Sequence, residues 1–175
     1  WPRILEPRRL LLAFALLFAP LQEIPIAAPI THTGVRPAIA ATIAGIASFT
    51  RWPQPQAPVR LCLAGVTQVS ERDFAGVAID GQPVAATRID RPAALATARC
   101  AILYLGRMPV PAAQRLIWAS YGRAILTIAE DDPECRGGAM FCLRDEPAAV
   151  RFLLNLDAIS RGAVKVDPRV LRLTR

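Results

Sequence analysis

The chain has 175 residues, 53% of them hydrophobic. That supplies a full core and excludes a mini-protein that exists only through its cross-links. Its net charge of +7 is nearly all arginine, with Lys165 the only lysine. In a cytosolic protein such a balance would invite a nucleic-acid reading, but the first residues of this chain argue for export instead, and a solvated basic face, or attraction to an acidic partner or an anionic membrane surface, accounts for the charge.

Arg3, Arg8 and Arg9 flank an apolar run over residues 10–21 (LLLAFALLFAPL), which reads as the basic and apolar regions of an export signal. The run is too short to cross a bilayer of about 30 Å as a helix, which takes about 20 residues. A signal peptide is therefore expected over residues 1–28. A retained membrane anchor is the alternative, because the cleavage site around Ala27, Ala28 and Pro29 is poorly specified. A core helix is the third reading, against which the lack of amphipathic period counts. Loss of three arginines and two glutamates with residues 1–28 takes the net charge from +7 to +6. A flexible segment over 29–36 and one domain over 37–175 follow.

Residues 37–50 predict an amphipathic helix, with Pro37 in its first turn and Ile39, Ile43, Ile46 and Phe49 on one face. Trp52-Pro53 ends it, since proline disfavours the α conformation in the residue before it. Residues 59–63 read as a strand, 70–74 as a short helix, Gly81-Gln82-Pro83 as a turn and 84–89 as a second strand. An alanine-rich helix over 92–98 precedes the apolar strand 101–105 (AILYL), whose continuous run suits burial on both faces. Residues 111–121 form a helix that Gly122 is placed to cap, and 124–128 a further central strand. Two strands, 138–143 and 149–155, are joined by a turn over 144–147. Two short helical pieces, 156–161 and 167–172, close the chain. The pattern is α/β: a single domain with a mixed central sheet of about six strands flanked by about five short helices.

Chemistry is hard to assemble from this chain. The only histidine, His32, lies just after the leader, so a nucleophile lacks its usual base. Cys62, Cys100, Cys135 and Cys142 show neither the C-x-x-C of a thioredoxin-like enzyme nor the spacing of a zinc knuckle. Glu130, Asp131, Asp132 and Glu134 lack the EF-hand spacing and read as a solvated turn. Gly137-Gly138 has no phosphate-binding fingerprint around it. No catalytic group, metal or cofactor is expected. An even cysteine count in an exported chain instead implies two disulfides, with three pairings open.

A set of motifs follows in order along the chain. They comprise Phe49-Thr50-Arg51-Trp52-Pro53, Leu61-Cys62-Leu63-Ala64-Gly65, Gly81-Gln82-Pro83-Val84 and Cys100 ahead of Ile102-Leu103-Tyr104-Leu105-Gly106. After these come the stretch from Cys135 to Cys142 (CRGGAMFC), Phe152-Leu153-Leu154-Asn155-Leu156-Asp157, and Val164-Lys165-Val166-Asp167-Pro168. Taken together these motifs resemble the YfiR family of periplasmic repressors; the resemblance covers the chain from about Ile39 to its C-terminus and implies one α/β domain that tends to dimerise. It implies pairing of Cys62 with Cys100 and of Cys135 with Cys142. The implied partner is the periplasmic domain of a membrane-bound diguanylate cyclase, held inactive until envelope or redox stress releases it. Partner contact is implied at Phe141 and Ile159, with Leu153 standing near a position where the family has an acidic residue. If exposed together, these side chains would form an apolar patch.

The expected function is thus periplasmic regulation that lowers cyclic di-GMP and biofilm formation, with no enzyme activity, no nucleic acid and no stable membrane insertion once the signal is removed. The alternative is a periplasmic accessory protein that binds a small ligand in a cleft lined by Trp52, Tyr104 or Trp118.

Overall fold

The computed structural model describes residues 34–146 and 149–174, so the expected leader and most of the segment expected over 29–36 lie outside the described residues. Helix α1 (Val35–Ser48) starts two residues before the expected Pro37 and buries Ile39, Ala40, Ile43, Ile46 and Ala47, a face set by the spacing of those residues. It stops short of Thr50 for a tertiary reason: β1 (Thr50–Arg51) pairs antiparallel with a strand near the other end of the chain. Strand β2 (Val59–Ala64) lies at the sheet's interior. A 3₁₀ turn over Glu71–Phe74 takes the place of the expected short helix. The Asp73 carboxylate accepts from the Ser70 N–H and hydroxyl at 2.7 and 2.8 Å, and these bonds lower its pKa.

The two-residue strand β3 (Ala78–Ile79) was not foreseen; it pairs with the start of β4 (Gln82–Ile89) across Asp80-Gly81, both at positive φ. An Asp-Gly pair suits that hairpin turn. Helix α2 (Ala94–Thr97), β5 (Ile102–Leu105), α3 (Val110–Ser120) and β6 (Leu126–Ala129) follow. Strands β7 (Phe141–Glu146) and β8 (Ala149–Leu154) run beyond the turn expected at 144–147, with Arg144 opposite Arg151 and Glu146 opposite Ala149. The chain ends with α4 (Leu156–Arg161), β9 (Lys165–Val166), which completes the pair with β1, and a 3₁₀ stretch over Pro168–Thr174.

The main sheet has seven strands in the order β3-β4-β2-β5-β6-β7-β8. The five from β4 to β7 are parallel and the two edge strands antiparallel. The six expected strands are present, and β3 makes the seventh. All residues of β5 and β6 are buried, and alternate side chains feed two cores. Leu61, Leu63, Ile102, Tyr104 and Ile128 pack with α1. Cys62, Ala64, Leu103, Leu105 and Ala129 face the other way, against Leu95 of α2 and Leu116 and Ile117 of α3.

Both disulfides form as the resemblance implies, Cys62 with Cys100 and Cys135 with Cys142, at Cα separations of 5.7 and 5.4 Å. All four sulfurs belong to the core beneath α2 and α3. With sequence separations of 38 and 7, the chain-entropy model assigns them roughly 3.9 and roughly 2.4 kcal/mol. Replacing Cys62 and Cys100 together by Ala is expected to cost about 1.5 kcal/mol more than the same double replacement of Cys135 and Cys142. Urea midpoints of the two variants, at equal m-value, check the order.

Candidate functional site

The loop between β6 and β7 is built around the Cys135–Cys142 disulfide, which we call the clamp. Cys142 is the second residue of β7 and is fully buried, while Cys135 sits at φ 55 in the loop. A non-glycine residue in the left-handed region costs about 1 kcal/mol, so the surrounding contacts must hold it there. Asp132 supplies several of them. Its carboxylate accepts from the Gly137 N–H at 2.7 Å and the Arg136 N–H at 3.1 Å, and its carbonyl accepts from the Cys135 N–H at 3.1 Å. From β7, Arg144 donates to the Pro133 carbonyl at 2.9 Å.

Asn155 joins this loop to α4. Its Nδ2 donates to the Cys135 carbonyl at 3.2 Å, its Oδ1 accepts from the Ala158 N–H at 3.0 Å as the cap of α4, and its own N–H donates to the Met140 carbonyl at 2.9 Å. One side-chain amide therefore spans the clamp and the first turn of the helix. Sequence reading had quoted Asn155 only as part of a motif; an Asn three residues before an alanine, at the end of a strand, is the capping signal that marks it.

The acidic run is less solvated than expected. Glu130 is half-buried, accepts from the Tyr104 hydroxyl at 2.6 Å and takes the Gln68 N–H on both oxygens at 3.1 Å. Burial raises its pKa despite those two donors, and burial together with Glu130 drives the Tyr104 phenol upward so that it stays protonated. Of the four acids, Glu130 and Asp132 are thus structural.

The residues implied for partner contact do not form one exposed patch. Phe141 is fully buried and meets the Phe152 ring edge-on at 5.5 Å between centroids. Leu153 and Ile159 are half-buried, Leu153 against the core that holds the disulfides and Ile159 against the core beneath α1. The strand alternation that buries Phe141 outweighs its motif position. The exposed apolar side chain of this region is Leu156, 73% exposed, three residues before Ile159 on α4. Trp52, Tyr104 and Trp118 share no cleft: the Trp52 indole donates to the Ala101 carbonyl, Tyr104 is buried beneath α1, and Trp118 is exposed on α3.

In open, doubly wound sheets, ligands bind beyond the carboxyl ends of the strands where the strand order reverses, which here lies between β2 and β5. That crevice is closed by the chain itself. Val66 and Arg107 exchange backbone hydrogen bonds at 3.0 and 2.9 Å across it, and a Cβ on Gly106 would come within 2.3 Å of the Val66 carbonyl oxygen. Two cavities flank the closure. One of 640 Å³ is lined by Gly65, Arg88 and Arg115, and one of 330 Å³ by Met108, Ile117, Asp132 and Gly137. Among the described residues every buried side-chain nitrogen and oxygen has a hydrogen-bond partner, and no helix is long and apolar enough to cross a membrane.

Residues 38–175 match the family model described as YfiR/HmsC-like. Among solved structures, the alanine–glyoxylate aminotransferase of Nostoc sp. aligns at 15% identity and a TM-score of 0.42, over 71% of this chain and 38% of that one. The chain thus spans well under half the length of that enzyme.

Replacing Asn155 by Ala is expected to cost about 1 kcal/mol of stability, the usual value of a lost helix cap, and to speed amide exchange in α4 while the central strands keep their protection. Hydrogen exchange read by mass spectrometry checks both. The Glu130 carboxyl, raised above its ordinary 4.5 in the fold, favours folding fully below that value and loses the contribution as pH rises through its folded pKa. Wild-type stability relative to Glu130→Gln should therefore fall between pH 4.5 and neutrality, measured by denaturant melts across that range.

Proposed function

The chain belongs to the YfiR/HmsC-like family over residues 38–175, and from that premise we propose that it is an exported, non-catalytic regulator. Its partner is the periplasmic sensor domain of a membrane-anchored diguanylate cyclase, which it holds inactive so that cyclic di-GMP and biofilm formation stay low. Self-association is part of the same proposal. Among the described residues no cysteine is free, which supports folding in an oxidising compartment.

The observation that carries this reading is the Asn155 joint. Opening the clamp frees the Cys135 backbone from a conformation it does not favour alone, and the Cys135 carbonyl is one end of the bridge that Asn155 makes to α4. Redox or envelope stress would then loosen α4 without unfolding the core, because the second disulfide and both cores remain. We place partner contact on Leu156 and Ile159, with half-buried Leu153 and buried Phe141 supporting the strands beneath them.

Deletion of the gene is expected to raise cyclic di-GMP; an unchanged level would overturn the regulatory role. Leu156→Glu should abolish capture of a cyclase sensor domain and leave stability within about 0.5 kcal/mol, as for most exposed positions. Capture that survives both Leu156→Glu and Ile159→Ala would move the contact surface elsewhere.

A further inference from the structure

We propose that the dithiol form of the Cys135–Cys142 clamp is a zinc site, with the two thiolates and the Asp132 carboxylate as protein ligands and the fourth position open to water. The inference rests on the geometry of this loop and stands apart from the choice of protein partner. One oxygen of Asp132 and the two sulfurs lie within 4.8 Å of one another, the sole group of three such donors among the described residues. Asp132 Oδ2 is 3.7 Å from Cys142 Sγ. Two donors on one tetrahedral zinc, with bonds of about 2.0 and 2.3 Å, stand about 3.5 Å apart. Relative to Cys142 the carboxylate already stands close to a ligating separation, and the two sulfurs must part from their bond.

The carboxylate is also oriented in advance. Hydrogen bonds from the Gly137 and Arg136 N–H groups fix its plane, as outer partners do for ligating carboxylates in metal sites. A Cβ on Gly137 would stand 2.9 Å from Asp132 Oδ2, so a side chain there would push on the carboxylate. Two thiolates, a carboxylate and Zn²⁺ sum to one negative charge; Arg136 of the loop, ion-paired with Glu134, and Arg144 of β7, bound to the Pro133 carbonyl, are the cations nearest to the two cysteines in sequence. The 330 Å³ cavity lined by Ile117, Asp132 and Gly137 gives an ion a way in. Cysteine spacing alone hides the site, because the third donor is a carboxylate and the six residues between the sulfurs turn back at Gly137-Gly138.

The chemistry balances with a dithiol as reductant. It gives two electrons and two protons to the clamp and becomes a disulfide, while Cys135 and Cys142 become thiols; zinc then displaces the two thiol protons. Reduction would thus convert a covalent clamp into a metal-dependent one.

The test uses the full chain reduced by a phosphine under anaerobic conditions and titrated with Zn²⁺ against a chromogenic chelator. One zinc per chain is expected for the reduced protein and none for the oxidised. Co²⁺ in place of zinc should show a thiolate charge-transfer band and tetrahedral d–d bands. Asp132→Asn should weaken zinc binding at least about tenfold, and Cys142→Ser should remove the cobalt charge-transfer signal of a dithiolate. Circular dichroism of each variant confirms that it is folded; if Asp132→Asn does not fold, Asp132→Glu takes its place and should shift the cobalt spectrum. Absence of zinc binding by the reduced chain, or unchanged affinity in folded Asp132→Asn, or an unshifted cobalt spectrum in Asp132→Glu, overturns the proposal. So does equal binding by a chain in which only Cys62 and Cys100 remain.

Discussion

A parallel sheet must be covered on both faces, and this one is covered unequally. The 14-residue α1 lays Ile39, Ile43 and Ile46 on one side, while among the described residues the other is covered by the four-residue α2 and the eleven-residue α3. Both disulfides sit on that second side, within its apolar cluster. Covalent links there tether segments that short helices cover thinly. Cys62 lies in the sheet's interior beside Leu103 of the next strand, and its bond to Cys100 fixes the entry to β5. Hydrophobic burial still supplies most of the stability, since β2, β4, β5, β6 and β7 each contribute side chains to both cores.

The two bonds are therefore not equivalent. One closes a long loop through the middle of the sheet; the other closes a short loop at the margin, ahead of β7. Breaking the first loosens the packing of α2 on the sheet. Breaking the second acts on a segment tied by the Asp132 turn, the Arg144 bond to Pro133 and the Asn155 bridge, with only Ala139 and Met140 between the two cysteines buried ahead of β7. A marginal segment held by hydrogen bonds opens at lower free energy than a central strand. That difference is why the function proposed above gives the conditional role to the second bond and a structural one to the first.

Much of this was legible because the strands that matter most are buried on both faces. The run AILYL announces a central strand by composition alone, and Ile39, Ile43 and Ile46 announce the buried face of α1. What escaped reading depends on distant partners. Thr50 carries no strand signal of its own and leaves the helix because Val166 offers it a backbone. Strand β3 is two residues long, so its only mark was Asp80-Gly81. Phe141 shows the converse failure: a motif placed it at a contact surface, whereas its parity with the core positions of β7 places it inside. The acidic run misled for a related reason, since whether Glu130 meets water or the Tyr104 hydroxyl is decided by the neighbouring strand.

At the strand-order reversal the chain itself closes the crevice. A doubly wound sheet offers its ligands the gap beyond β2 and β5, yet here Val66 and Arg107 pair across it, and Gly106 permits a backbone approach that any side chain would block. What stays open are the flanks of that closure and the loop between β6 and β7, where Asp132, Cys135, Cys142 and Asn155 concentrate the polar contacts. The short-loop disulfide therefore lies among the contacts that border those open flanks, so a change at that bond acts first on the loop and on α4 rather than on the central strands.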